Sequence, residues 1–191
     1  MLFRSGRARP VSVRESPSPS RRSYTHSVVP TPISHAAVGY AIGAWAPHDV
    51  PPSARRVCLV AAACAALPDI DVLGFAAHRG ITHSIAFAVV AAVVGTLALF
   101  PGTEMRTRRQ IALILLVALL SHSCLDALSQ YSLGIEFFAP FSDERFRFVW
   151  TPLRRSGALI DQLVQEALVV FLPAVVLAWL GLRVRRRVEP A

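Results

Sequence analysis

Apolar and polar positions along this chain separate into blocks instead of alternating at the period of a half-buried strand or of an amphipathic surface helix. Nearly continuous apolar runs cover 35–46, 54–67, 84–100, 110–128 and 158–182, each bounded by short polar punctuation. A helix apolar on every face belongs in a large core or a membrane, so five such helices are expected. Ser34 is read as the N-cap of the first helix, whose Ala and Gly content allows close packing against a neighbour. That helix, of roughly 13 residues and about 20 Å, is too short to cross a bilayer untilted. Asp49, Pro51 and Pro52 mark a turn, and Pro68 is expected to stop the second helix. Thr82 or Ser84 opens the third, which Pro101 and Gly102 close. Arg106, Arg108 and Arg109 precede the fourth, and a polar, aromatic-rich loop fills 129–157. The fifth carries a kink site at Pro173 and ends in Arg183, Arg185, Arg186 and Arg187.

The fold class expected is all-α, an integral membrane bundle of about four to five helices with short apolar segments. Several runs fall below the roughly 20 residues of an ordinary span, which leaves a membrane-associated bundle as the alternative. Residues 1–34, rich in Arg, Ser and Pro, bury too little apolar area to offset ordering entropy and are expected to be disordered. The helical domain is placed at 35–182 and a basic tail at 183–191.

Composition strengthens the membrane reading. Of 191 residues, 53% are hydrophobic and 17% charged, with a mean hydropathy of +0.47. Soluble domains carry about a quarter charged residues. The net charge of +8 comes from arginine, with no lysine in the chain. Arginines at the ends of apolar runs suit anionic lipid headgroups. No nucleic-acid-binding motif accompanies them, so membrane lipids are the expected partners and nucleic acid is not. Cys58, Cys64 and Cys124 lie inside apolar stretches and read as small buried residues.

Against this background the ionisable residues near the run ends stand out, since such groups are costly beside a membrane. Asp69, Asp71, His78 and His83 fall in one connection, and His122 and Asp126 lie at i,i+4 on one helical face. Up-and-down helices would bring these six to one end of the bundle together with His35, and would leave His48 at the other. Oxygen and imidazole donors suit a divalent ion, zinc or manganese. Taken singly, His122 and Asp126 also read as an interhelical hydrogen-bonded pair, and Asp69 and Asp71 as loop charges on an extended turn. His78 and His83, with Arg79 between them and Gly80 permitting an unusual turn, also suit a lipid headgroup cluster.

The ordered set His35, Leu67-Pro68-Asp69-Ile70-Asp71, His78-Arg79-Gly80-Ile81-Thr82-His83-Ser84 and His122-Ser123-Cys124-Leu125-Asp126, followed by Gly134, Pro140-Phe141 and Arg145, resembles the YdjM-like family of bacterial inner-membrane proteins. These are described as membrane-bound metal-dependent hydrolases. The resemblance covers about residues 34–182, and the long N-terminal tail departs from it. It implies a multi-pass protein of the inner membrane with a divalent metal site. His35, Asp69, Asp71, His78, His83, His122 and Asp126 would be its ligands, enough for two ions. The His-x-x-x-Asp element at 122–126 is also similar to one in zinc-dependent phospholipases C.

On this reading Arg79 clamps a phosphate, with Arg145 and Arg147 as alternatives, and an aspartate such as Asp71 serves as general base. Asp161 and Glu166 would stand behind the ligands or belong to a solvated helix start, and the aromatic residues of the 129–157 loop anchor it at the interface or cover the site. The function expected is hydrolysis of an ester or phosphoester, with a lipid or phosphoester substrate. A metal-ion carrier or sensor without chemistry, or a polar cluster that only holds helices together, are the other classes.

Overall fold

The computed structural model describes residues 31–46, 54–73, 79–130, 132 and 134–188. They form helices α1 (Pro32–Ala44), α2 (Ala54–Ala66), α3 (Ile85–Leu99), α4 (Met105–Ala127), α5 (Leu159–Glu166) and α6 (Leu172–Val188). Among the described residues there is no strand, only the isolated bridges Ser129 with Leu153 and Ile135 with Phe146 in the polar loop. The all-α class holds. Two helical stretches, Met105–Ala127 and Leu159–Arg186, are long and apolar enough to cross a membrane, whereas Ile85–Leu99 is a shorter apolar helix.

Small residues set the centre of the bundle. A Cβ on Gly39 would stand 2.4 Å from the Ala61 carbonyl oxygen, and one on Gly43 would stand 2.6 Å from the Cys58 Cα. The two glycines are four apart, on one face of α1, so the α1 and α2 backbones approach directly, as in a small-xxx-small contact. Helix α4 packs on both, α3 covers α4, and α6 lies along α1. Val57, Ala61, Ile111, Leu115 and Leu119 fill the space between α2 and α4. Cys58 and Cys64 are buried and Cys124 is half-buried.

The ends of the elements depart from expectation for local reasons. Helix α1 begins three residues early, with Thr31 as N-cap and Pro32 in the first turn, where a proline lacks only an N–H that would have no partner. Residues 31–34 are therefore ordered; the rest of the expected disordered tail lies outside the described residues. Pro68 does not open an extended turn: the chain tightens into a 3-10 segment, Leu67–Leu73, that carries both aspartates. Of the two candidate caps for α3, Ser84 is the one used, its hydroxyl accepting from the Phe87 N–H at 3.1 Å. Helix α4 starts at Met105, so Arg106, Arg108 and Arg109 lie inside its first turns, as suits good helix formers.

The last helix continues to Val188, through most of the tail expected at 183–191. It is interrupted by a π turn at Ala167–Phe171, where the Leu172 N–H reaches back to the Ala167 carbonyl. Pro173 follows at once. Its ring crowds the carbonyl four residues earlier and it offers no N–H, and the wider turn relieves both.

Candidate metal centre

Helix order decides where the polar residues meet. The start of α1, the 3-10 segment after α2, the turn before α3 and the end of α4 share one end of the bundle. There the structure brings together His35, Asp69, Asp71, Arg79, His83, His122 and Asp126. His78 and His48 lie outside the described residues. The rings of His35, His83 and His122 are 0% exposed.

The hydrogen bonds assign the tautomers of two rings. His122 Nδ1 lies 2.7 Å from the Ala65 carbonyl oxygen, which can only accept, so Nδ1 carries the proton and Nε2 keeps its lone pair. The Thr82 hydroxyl donates to Asp71 Oδ2 at 3.0 Å and lies 3.0 Å from His83 Nδ1. Its oxygen therefore accepts from that nitrogen, and Nε2 of a neutral His83 is bare as well. The two Nε2 atoms face each other at 3.0 Å. Asp126 Oδ2 stands 3.6 Å from the His83 nitrogen, and Asp69 Oδ1 stands 3.6 Å from that of His122. Lone pairs and carboxylate oxygens converging this closely repel unless a proton on His83 Nε2 or a metal ion lies among them.

A divalent ion fits this donor set. Two nitrogens, each about 2.0–2.1 Å from a tetrahedral ion, lie roughly 3.3 Å apart, close to the separation here. Two ligand triads emerge, His35 with His122 and Asp126, and Asp69 with His83 and His122, each buried and spanning no more than 4.8 Å. Both draw on His122. Several ligand atoms also have no hydrogen-bond partner: both ring nitrogens of His35, Asp69 Oδ2 and Asp126 Oδ1. The His35 ring stacks on His122 at 3.8 Å, and its Nε2 points at Asp126 Oδ1 from 3.5 Å.

Proton affinities in the connection follow from the same crowding. Burial pushes the Asp69 carboxyl above the usual carboxylate range, against the pull of His35. Burial disfavours the charged form of His83, but hydrogen bonds and charge from Asp126 and Asp71 outweigh it and hold its pKa above the usual imidazole range.

Around the ligands runs a supporting shell. Asp71 belongs to neither triad. Its Oδ2 accepts from the Arg79 N–H at 2.9 Å and lies 3.3 Å from His83 Nδ1, so it stands behind the ring and turns Nε2 inward. Arg79 donates its Nε to Asp126 Oδ2 at 2.7 Å. The turn is unusual at both residues: Gly80 adopts φ −93°, ψ −127°, outside the regions open to most residues, and Arg79 adopts φ +62°, a conformation that costs a non-glycine residue about 1 kcal/mol or more and is found mostly where a site demands it. Arg145, an alternative phosphate clamp, is committed to Glu136 at 2.6 Å.

Three supports had no counterpart among the sequence expectations. They are the Ala65 carbonyl, the Thr82 bridge, and the Ser123 hydroxyl, which donates to the His83 carbonyl at 2.7 Å. Glu166 was expected behind the ligands. It instead accepts from the Thr31 N–H and, at 2.7 Å, from the Thr31 hydroxyl, capping α1 four residues before His35. The Thr31-Pro32 pair was the readable signal of that helix start.

No solved structure matches the chain. Among curated proteins, it is 34% identical over 169 residues to the inner membrane protein YbcI of Escherichia coli strain K12, across 78% of this chain and 95% of that protein. With residues 31–188 also matching the YdjM inner membrane protein family, the chain belongs to that family and is itself a multi-pass protein of the inner membrane.

Proposed function

We propose that this protein is a membrane-bound metal-dependent hydrolase acting on an ester or phosphoester at the lipid–water boundary. The observation that carries the reading is the pair of Nε2 atoms of His83 and His122, facing each other at 3.0 Å among carboxylates, beside ligand atoms that have no hydrogen-bond partner. Because His122 Nδ1 is tied to Ala65 and both triads use the same ring, the described residues support one ion, zinc or manganese, in place of two. His35, Asp69, His83, His122 and Asp126 would hold it. A bound divalent ion supplies Lewis acidity, polarising an ester or phosphoryl oxygen and making water acidic enough to attack at neutral pH.

The chain's own groups divide the remaining work. Asp71 fixes the His83 ring, and its Oδ2 is already engaged by Arg79 and Thr82. Asp69 keeps Oδ2 without a partner and its proton affinity is raised by burial, so of the two aspartates it is the better general base. Arg79 orients Asp126 and brings positive charge beside the ligands, which favours an anionic substrate such as a phosphoester.

A reversible metal-ion carrier or sensor is the second reading, favoured by the complete burial of the three imidazoles. Elemental analysis of protein purified in mild detergent, followed by an esterase and phosphodiesterase panel with added zinc or manganese, separates the two. Stoichiometric metal with turnover that is lost in His122→Ala supports the hydrolase. Stoichiometric, exchangeable metal with no turnover on any ester class supports the carrier.

A further inference from the structure

A polar cavity opens in the loop that follows α4, at the bundle end that holds the imidazoles. It encloses about 670 Å³ and is lined by Gln130, Arg147, Phe148, Val149, Thr151 and Arg155. Its frame is fixed by hydrogen bonds. The Gln130 amide donates to the Thr151 hydroxyl at 3.1 Å and accepts from the Arg155 N–H at 3.3 Å, while the Gln130 N–H reaches the Leu153 carbonyl at 2.9 Å. The Phe148 N–H bonds the Ala127 carbonyl at 3.1 Å, tying the 147–155 stretch to the last residue of α4, next to Asp126. The Arg145 guanidinium is neutralised by Glu136. Those of Arg147 and Arg155 have no hydrogen-bond or ion-pair partner among the described residues. Two unpaired guanidinium forks facing one cavity make a site for a phosphate.

We propose that Arg147 and Arg155 bind the phosphate of an anionic membrane phospholipid. Depth favours a lipid over a soluble phosphate. The 147–155 stretch is tied to the end of one helix of membrane-crossing length, α4, and leads through residue 158 into the start of the other, so it would lie where both meet the headgroup layer. Its apolar side chains are bared to the surroundings instead of packed: Val149 is 105% exposed, Trp150 70%, and Phe148 45%. An exposed aromatic beside arginines is the composition of a headgroup anchor. Phe148 and Val149 also form a wall of the cavity itself, which suits the glycerol side of a headgroup. The site would hold a lipid beside the metal centre whether or not that centre performs hydrolysis.

The test uses the full chain purified in mild detergent and titrated with short-chain phosphatidylglycerol, with short-chain phosphatidylcholine and with inorganic phosphate, binding being read by thermophoresis. Phosphatidylglycerol should bind more tightly than either of the others. Arg147→Gln and Arg155→Gln should each weaken it roughly fivefold and the double variant roughly twenty-fivefold, the effect of one and of two cations beside a lipid phosphate. Both positions are exposed, so folding is not at stake. Arg106→Gln, at the opposite end of the bundle, should leave the affinity unchanged. An unaltered double variant, an equal loss in Arg106→Gln, or inorganic phosphate binding as tightly as the lipid would each overturn the site. Because binding alone is measured, a failure here is distinct from a failure of the hydrolase reading.

Discussion

At the scale of single residues, the partners of two histidines shape the candidate centre. His122 is held by a carbonyl and His83 by a hydroxyl backed by Asp71, so both turn their Nε2 atoms to one point. Removing a ring that only one element supplies should empty the centre: His122→Ala and His83→Ala are expected to lose the bound metal, and His48→Ala to keep it, by elemental analysis. Arg79→Ala removes a partner of the ligand Asp126 and should lower metal affinity or turnover by about 10–100-fold, with Arg79→Lys recovering only part, since an ammonium lacks the planar fork. Metal must also displace protons. His83 and Asp69 both hold theirs to higher pH than the free side chains do. Affinity should therefore rise with pH until His83 is neutral, and fall by up to about tenfold per pH unit per displaced proton below that point. Calorimetry of zinc binding in buffers of different ionisation enthalpy checks this through the number of protons released; a value of zero below pH 7 would contradict it.

At the scale of elements, the close approach of α1 and α2 at Gly39 and Gly43 sets where His35 stands. A leucine at Gly39 has to displace the Ala61 backbone from 2.4 Å, and overpacking of this kind costs about 1–3 kcal/mol. Gly39→Leu should lower the melting temperature in detergent and reduce metal content together, whereas Gly102→Ala, in open space though at φ +75°, should spare the metal. Much of this level was legible in the chain. Block-like apolar runs announced the helices, and their up-and-down order brought His35, Asp69, His83, His122 and Asp126 to one end. What stayed hidden depends on backbone groups and on partners distant in sequence. No side-chain pattern reveals that the Ala65 carbonyl fixes a tautomer. Nor does Pro68 disclose that the chain continues as a 3-10 segment, because a proline's fixed φ suits either a helical turn or a break.

At the scale of the whole molecule, two helices of membrane-crossing length frame a centre made by shorter ones. The alternation of α1 to α4 sets the metal centre and the 129–157 loop at one end and the turn before α4 at the other. In a cysteine-free background, Trp150→Cys and Glu104→Cys should be labelled by an impermeant thiol reagent from opposite sides of the membrane; labelling from the same side would exclude this arrangement. The cap that Glu166 places on Thr31 reaches across 135 positions of sequence. During synthesis the Thr31 N–H and hydroxyl at the head of the first helix therefore lack this acceptor until the last helix has been made. Maturation of the centre is thus tied to completion of the chain. A ribosome that stalls before the final helix leaves the turn ahead of His35 without the carboxylate that caps it.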